Sequence, residues 1–374
     1  MRIAIVGSRG FPYVYSGYET LVGELAPRLV ARGHEVTVYC HRALFARRPG
    51  EVEGVRLIYV PGLTRKTSSQ LSHSFAAVLH LIATRRNGPE VVLFVNAANG
   101  LFGPLLRLAR IRTAINVDGV EWRRPKWSGL GARVFHLAAA MTTRWFDLVI
   151  TDAKAMAQVY MTEFGARSTV IEYGADLWRS REPSRLSELG LAPQSYFLVV
   201  ARMVPDNNVR LLVEGFARSS TERRLVVVGD VPYRDPYADG VRRIGGTRVL
   251  FTGSVKDQGL LRELYCGAYA YLHGHEHGGT NPALLKALGA GCCVLALDTA
   301  FSREVLDGAR YGVYFAKDPD AVRAAIELVE ADAQLASELR SRARERISER
   351  YTWDRIVLEY ERACKAVVRG TGAR

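Results

Sequence analysis

Three stretches of this sequence bring together residue types that could do chemistry. The densest is Asn116-Val117-Asp118-Gly119-Val120-Glu121-Trp122-Arg123-Arg124-Pro125-Lys126-Trp127, with two carboxylates, two tryptophans and three cations directly after an apolar run. Carboxylates in such a place can accept hydrogen bonds from sugar hydroxyls or take up a proton, and indole faces suit the apolar face of a sugar ring. The bland alternative is a solvated surface loop of ion pairs.

The second stretch is His273-Gly274-His275-Glu276-His277-Gly278-Gly279-Thr280-Asn281-Pro282, which leads into an apolar helical segment. Asn281 suits an N-cap and Pro282 a first helical residue, so the helix should turn its amides and positive dipole end toward Gly278, Gly279 and Thr280. A diphosphate fits there. Three histidines and a glutamate also admit a zinc reading, but the helix cap accounts for more of the residues. Arg202 follows another apolar run and could fork onto a phosphate or form a surface ion pair. Asp318-Pro319-Asp320 has the spacing of a metal-binding pair, yet Asp318 reads as an N-cap before Pro319, and no metal site follows.

The third stretch is Gly7-Ser8-Arg9-Gly10-Phe11-Pro12, followed by a helix opening at Ser16-Gly17-Tyr18-Glu19. It is not a dinucleotide fingerprint, though its glycines permit close backbone approach and the helix start offers amides to an anion.

Such residues need elements that hold them, and the patterning supplies these. Ile3–Gly7, Glu35–Cys40, Val55–Val60, Val91–Asn96 and Thr113–Val117 read as strands, with amphipathic helices at Thr20–Arg32 and Gln70–Arg85. The rhythm loosens between Tyr173 and Gln194. It restarts with Tyr196–Ala201, Arg224–Gly229, Val249–Gly253, Ala270–His273 and Val294–Asp298, and a helix is expected over Ala283–Gly291. Strands alternating with helices predict an α/β protein of two Rossmann-like domains with parallel sheets, facing a cleft. The expected division is 1–175, 176–352 and a C-terminal helix over 353–374 that packs back on the first domain.

Composition agrees: 374 residues, 48% hydrophobic and 24% charged, suffice for two globular cores. The five cysteines lack any paired ligand spacing and read as reduced thiols. No apolar run approaches the roughly 18–20 residues of a membrane span, and the first residues start a strand instead of a secretion signal, so a cytoplasmic protein is expected. The net charge is +13, and residues 1–180 hold 23 Lys+Arg against 13 Asp+Glu, a net of +10. That basic half favours an anionic partner, and contact with anionic lipid at the inner face of the membrane is expected. Nucleic-acid binding would explain the charge but none of the motifs.

Four motifs carry a resemblance: Gly17-Tyr18-Glu19-Thr20; Asn116 through Trp122 with Lys126-Trp127; Tyr173-Gly174-Ala175-Asp176; and His273-Gly274-His275 with Gly278 through Pro282. In these the chain resembles, over nearly its whole length, the bacterial family-four glycosyltransferases of GT-B architecture, in particular the rhamnosyltransferase-like branch of capsule and cell-wall polysaccharide assembly. The resemblance implies a first domain that binds a glycan or lipid-linked glycan acceptor and a second that binds a nucleotide sugar. It implies transfer with retention, no metal or other cofactor, and no protein nucleophile, the leaving phosphate helping to deprotonate the acceptor. On that basis Asp118 and Glu121 contact the sugar or handle a proton, and Tyr18, Glu19, Trp122, Lys126 and Trp127 serve the acceptor. Gly17, Arg202, Asn207, Gly278, Gly279, Thr280, Asn281 and Lys286 serve the donor.

Three positions depart from the family pattern. Asn207 stands where the family has a phosphate-binding lysine, and Gly278 and Lys286 stand where the family has two glutamates, eight positions apart, that contact the sugar and the ribose. The lysine either supplies the charge missing at Asn207 or marks impaired turnover. The expected donor is dTDP-rhamnose, with a UDP- or GDP-hexose as the alternative. A catalytically silent nucleotide-sugar or glycan-binding partner is the other class of function. An epimerase on the same fold would leave the tryptophan-rich loop without a purpose.

Overall fold

The computed structural model describes residues 1–12, 17–64, 69–123, 129–231 and 235–371. It divides into two compact units, Met1–Tyr173 with Trp353–Arg374, and Gly174–Thr352.

In unit 1 the strands are β1 (Arg2–Val6), β2 (Glu35–His41), β3 (Glu51–Val52), β4 (Val55–Val60), β5 (Val91–Val95), β6 (Thr113–Val117), β7 (Leu148–Thr151) and β8 (Thr169–Val170). They lie in the order β3-β4-β2-β1-β5-β6-β7-β8, and every pair is parallel except β3 with β4. The central strands β5 and β6 are buried along their whole length because helices cover both faces of a parallel sheet; β5 is a continuous apolar run, while β6 also buries Thr113 and Asn116. The helices are α1 (Gly17–Ala31), α2 (Ser69–Ala83), α3 (Gly103–Leu108), α4 (Leu130–Trp145) and α5 (Lys154–Phe164). On α1, Leu21, Val22, Leu25, Ala26 and Leu29 form the buried stripe that holds it to the sheet.

The sheet of unit 2 runs β11-β10-β9-β12-β13-β14, all parallel. Its strands are β9 (Tyr196–Val200), β10 (Arg224–Val228), β11 (Val249–Gly253), β12 (Ala270–His273), β13 (Cys293–Leu297) and β14 (Val313–Phe315). Its helices are α6 (Val209–Arg218), α7 (Pro236–Ile244), α8 (Gln258–Gly267), α9 (Pro282–Ala290), α10 (Ala300–Val305), α11 (Pro319–Ala331) and α12 (Ala333–Arg350). Phe197, Val199, Leu212, Phe216, Leu272 and Ile326 belong to one continuous core.

The final helix, α13 (Trp353–Arg369), belongs to unit 1. Its Tyr360 hydroxyl accepts from Asn116 Nδ2 at 2.7 Å, and its Glu361 meets Arg32 Nε at 2.6 Å. The division after Tyr173 falls two residues before the expected one. Ala175 bridges Thr352 and its N–H donates to Tyr351 O at 2.7 Å, which ties the segment after Tyr173 into unit 2. Both sheets therefore have a topological switch point, between β1 and β5 in unit 1 and between β9 and β12 in unit 2. At such points the chain leaves adjacent strands in opposite directions and opens a crevice for ligand.

Candidate active site

In unit 1 the expected residues gather at the carboxyl ends of β1 and β6. Gly7 ends β1 at φ +103, and a Cβ there would stand 2.3 Å from Val95 O, so only glycine lets the chain turn this close to β5. Glu19, in the first turn of α1, is buried and accepts from Arg9 N–H at 2.9 Å. It braces the turn instead of lying open to a ligand. Tyr18 Oη accepts from Asp118 N–H and donates to Asp118 O, both at 3.0 Å, which fixes the backbone just beyond β6. Tyr173 Oη donates to Asp118 Oδ2 at 3.0 Å. Burial, followed by the nearby Asp118 charge, pushes both phenols well above their ordinary value, so they remain neutral donors. A Cβ on Gly17 would lie 3.6 Å from Asp118 Oδ2, which puts the start of α1 against that carboxylate.

Glu121 and Trp122 lie on a short helical turn, Glu121–Arg123, beyond Asp118. Trp122 Nε1 donates to Glu163 Oε2 at 2.9 Å, and the ring meets His136, Tyr160 and Phe164 edge-on. The indole is thus anchored into the wall formed by α4 and α5. Lys126 and Trp127 lie outside the described residues.

In unit 2 the expected residues gather at the switch point. Arg202 follows β9, and the buried Asn207 side chain donates to Arg202 O at 2.9 Å. The amide at position 207 therefore shapes the loop that carries the arginine. Asn208 Nδ2 donates to Gly274 O at 2.9 Å, tying that loop to the end of β12. His273 and His275 stack at 4.6 Å, and burial pushes the His273 imidazole down to about 3, so it stays neutral. His273, His275, Gly278, Gly279 and Asn281 line one small concavity.

Asn281 caps α9 through its side-chain oxygen, which accepts from Ala283 N–H at 2.9 Å, with Pro282 next to it. The positive end of the helix dipole then faces the loop holding Gly278, Gly279 and Thr280. Lys286, one turn further along, has its Nζ 5.5 Å from the centre of the Trp178 ring. Glu276 meets Lys317 Nζ at 2.5 Å and Asn208 at 3.3 Å; burial would raise its carboxyl, but these partners outweigh burial and leave it lowered and ionised. Asp318 accepts from Asp320 and Ala321 N–H as the cap of α11. Among the described residues no three His, Cys, Asp or Glu side chains converge on a point where a metal ion could sit.

Tyr173 belonged to a quoted motif without a role of its own, whereas Tyr360, Glu163 and Trp178 did not stand out in the sequence. Each joins the site through a partner dozens of positions away or more, and a tyrosine or tryptophan outside a motif carries no local signal of its role.

Residues 16–174 match the family described as glycosyl transferase 4-like domain, and residues 194–332 match glycosyl transferases group 1. Among solved structures the chain is similar to sucrose-phosphate synthase from Thermosynechococcus elongatus, at 18% identity and a TM-score of 0.85, covering 98% of this chain and 99% of that one. It is similar to HepE from Anabaena in complex with UDP, at 16% identity and a TM-score of 0.79, covering 98% and 100%. WaaG, a glycosyltransferase involved in lipopolysaccharide biosynthesis, aligns at 16% identity and a TM-score of 0.75, covering 98% and 99%. Identities this low establish the shared fold of two α/β domains. Among curated proteins none matches the chain.

Proposed function

The chain belongs to the glycosyltransferases that pair a glycosyl transferase 4-like domain with a group 1 domain, and from that premise we propose that it transfers L-rhamnose from dTDP-rhamnose to a glycan or lipid-linked glycan in bacterial polysaccharide assembly. The observation that carries the donor reading is the switch point of unit 2, where Arg202 follows β9 and a glycine loop leads from the adjacent strand β12 into the capped start of α9. An arginine fork and a helix N-terminus are two independent ways to hold a diphosphate, and together they hold its charge without a metal. HepE, solved with UDP and with UDP-glucose, supports a nucleotide-sugar donor for a chain of this fold.

Unit 2 takes the donor and unit 1 the acceptor. Stabilisation of the leaving diphosphate by Arg202 and the α9 dipole lowers the barrier to bond cleavage, and the leaving phosphate accepts the acceptor proton on the retained face. Asp118, with Tyr173 donating to its carboxylate, and Glu121 contact the transferring sugar or handle the proton. The protein works in the cytoplasm, in peripheral contact with anionic lipid at the membrane's inner face.

Thermal-shift titration with dTDP, UDP and GDP, followed by turnover of the matching nucleotide sugars, tests the reading. A shift and turnover that persist in EDTA are expected. A strict need for a divalent ion would remove the metal-free mechanism, and binding without turnover would leave a silent nucleotide-sugar-binding partner. Lys286, in place of the family's glutamate, gives that second reading its support.

A further inference from the structure

We propose that the face of unit 1 formed by α2, α3 and α4 is a docking surface for an anionic lipid bilayer. The sheet order sends the chain one way from β1 to β2 and the other way through β4, β5, β6 and β7. With right-handed crossovers, and with β7 to β8 continuing in that second direction, α1 then covers one face of the sheet while α2, α3, α4 and α5 share the other. The contacts agree: Phe75 of α2 lies 6.1 Å from the ring of Phe102, which immediately precedes α3, and α3 packs on α4. The opposite helix α1 packs on α13.

Among the described residues, eleven large apolar side chains are exposed, and seven of them stand on α2, α3 and α4. Phe75 and Leu79 come from α2, Leu105 and Leu108 from α3, and Leu130, Val134 and Leu137 from α4. Leu108 is 82% exposed and Leu130 76%. Single exposed leucines are ordinary, but a set on adjacent helices of one layer is not.

The charge on the same face is predominantly positive. The sequences of α2, α3 and α4 contain no aspartate or glutamate, and between Ser69 and Val117 the only carboxylate is Glu90. Arg85, Arg86, Arg107, Arg110, Arg112 and Arg133 are exposed on or beside these helices. Of these, Arg107 is paired with Asp147 at 2.9 Å. By contrast α1 carries Glu19 and Glu24, and α13 carries Asp354, Glu359 and Glu361. Apolar side chains set among arginines, with Asp147 and Glu163 beside them both held in ion pairs, match a bilayer interface, where leucines enter the acyl boundary and arginines meet headgroup phosphates. A protein partner of mixed charge would leave this largely cationic surface unmatched.

The inference deepens the membrane contact included in the functional reading above. Vesicle binding is measured without glycosyl transfer, so either can fail while the other stands. The whole chain is sedimented with vesicles of phosphatidylcholine alone and of equal parts phosphatidylcholine and phosphatidylglycerol, at rising salt. Binding to the anionic vesicles alone, weakening with salt, is expected. The triple substitution Arg110→Gln, Arg112→Gln, Arg133→Gln should lower partition about a hundredfold, as three interfacial cations imply.

The second triple, Leu108→Ser, Leu130→Ser, Leu137→Ser, should abolish the binding that survives high salt. Both keep a cooperative thermal melt, which shows that the fold is intact. Wild-type binding by either variant would overturn the proposal, as would equal partition onto neutral vesicles. It would also be overturned by wild-type self-association without vesicles that the leucine variant loses, since the face would then seat a second copy.

Discussion

Asp118 receives a hydrogen bond from a phenol that burial keeps protonated, and this arrangement makes the carboxylate's behaviour predictable. A hydrogen bond to a charged group is worth about 1.5–3 kcal/mol. Tyr173→Phe should therefore cost about tenfold to a hundredfold in kcat while leaving nucleotide affinity unchanged, and Asp118→Ala should cost more with the same selectivity. Because the Tyr173 phenol is pushed well above its ordinary value, its ionisation should add no alkaline limb to the rate profile below about pH 9. Steady-state kinetics of the two variants check this, and full transfer by both would return the residues to a structural role. Lys286 gives a second test at this scale. If it serves the diphosphate, Lys286→Ala weakens nucleoside diphosphate binding much more than nucleoside binding, and Lys286→Glu weakens it further. If it is a lesion, Lys286→Glu raises turnover. Trp178→Ala should couple to Lys286→Ala by about 0.5–1 kcal/mol in a double-mutant cycle, the size of an exposed cation–π contact. Asp118 and Asn281 were legible in the sequence because each stands at the junction of an apolar run with a polar one. Tyr360, 244 residues from Asn116, was not, since nothing local marks such a partner.

At the scale of elements, two helices depend on identifiable residues. Asn281→Ala removes the side chain that caps α9 and should cost about 1 kcal/mol, with weaker diphosphate binding as the helix start loosens. Calorimetry and a nucleotide titration read the two effects separately. The buried histidines act through their elements as well. Burial, then the neighbouring His41, pushes His73 on α2 down to about 4, and burial pushes His273 on β12 to about 3. Unfolded histidine takes up a proton near pH 6.5, and these folded ones cannot. Their contribution is thus complete above about pH 6.5 and lost as pH falls toward about 4 and 3, at up to about 1.4 kcal/mol per pH unit for each. Melting curves should show the loss, and His273→Gln should flatten it for unit 2. An unchanged slope in that variant would place the acid sensitivity elsewhere. Strands Thr113–Val117, Val249–Gly253 and Ala270–His273 fall where the apolar runs put them, because each run is closed by a charge or a glycine. The two-residue strands β3 and β8 left no pattern to read; pairing with a neighbour defines them.

Across the whole molecule the two-unit organisation was legible from the break in rhythm, but the route of the chain was written in contacts. Unit 1 is discontinuous: it is closed by α13, whose Tyr360 and Glu361 reach Asn116 and Arg32. The Glu361 carboxyl is held at about 2, first by Lys365 and then by Arg32 against the cost of burial, so this anchor is present above about pH 4.3 and weakens as pH falls toward 2. Residues 1–173 alone should accordingly be unstable. Unit 2 is different, because residues 174–352 are continuous, their core spans Phe197 to Leu339, and the Ala175–Thr352 bridge joins the two ends. Excising that segment cuts no strand pairing of its sheet. It should fold on its own, and if Arg202 and the α9 start hold the donor diphosphate, it should bind nucleoside diphosphate without unit 1. Ligand at about a hundred times Kd stabilises by about 2.7 kcal/mol, a rise of roughly 5–11 °C in melting temperature for a segment of this size. A cooperative melt of the segment that does not move with dTDP, UDP or GDP, while the whole chain shifts, would show that unit 1 supplies an essential part of the donor site.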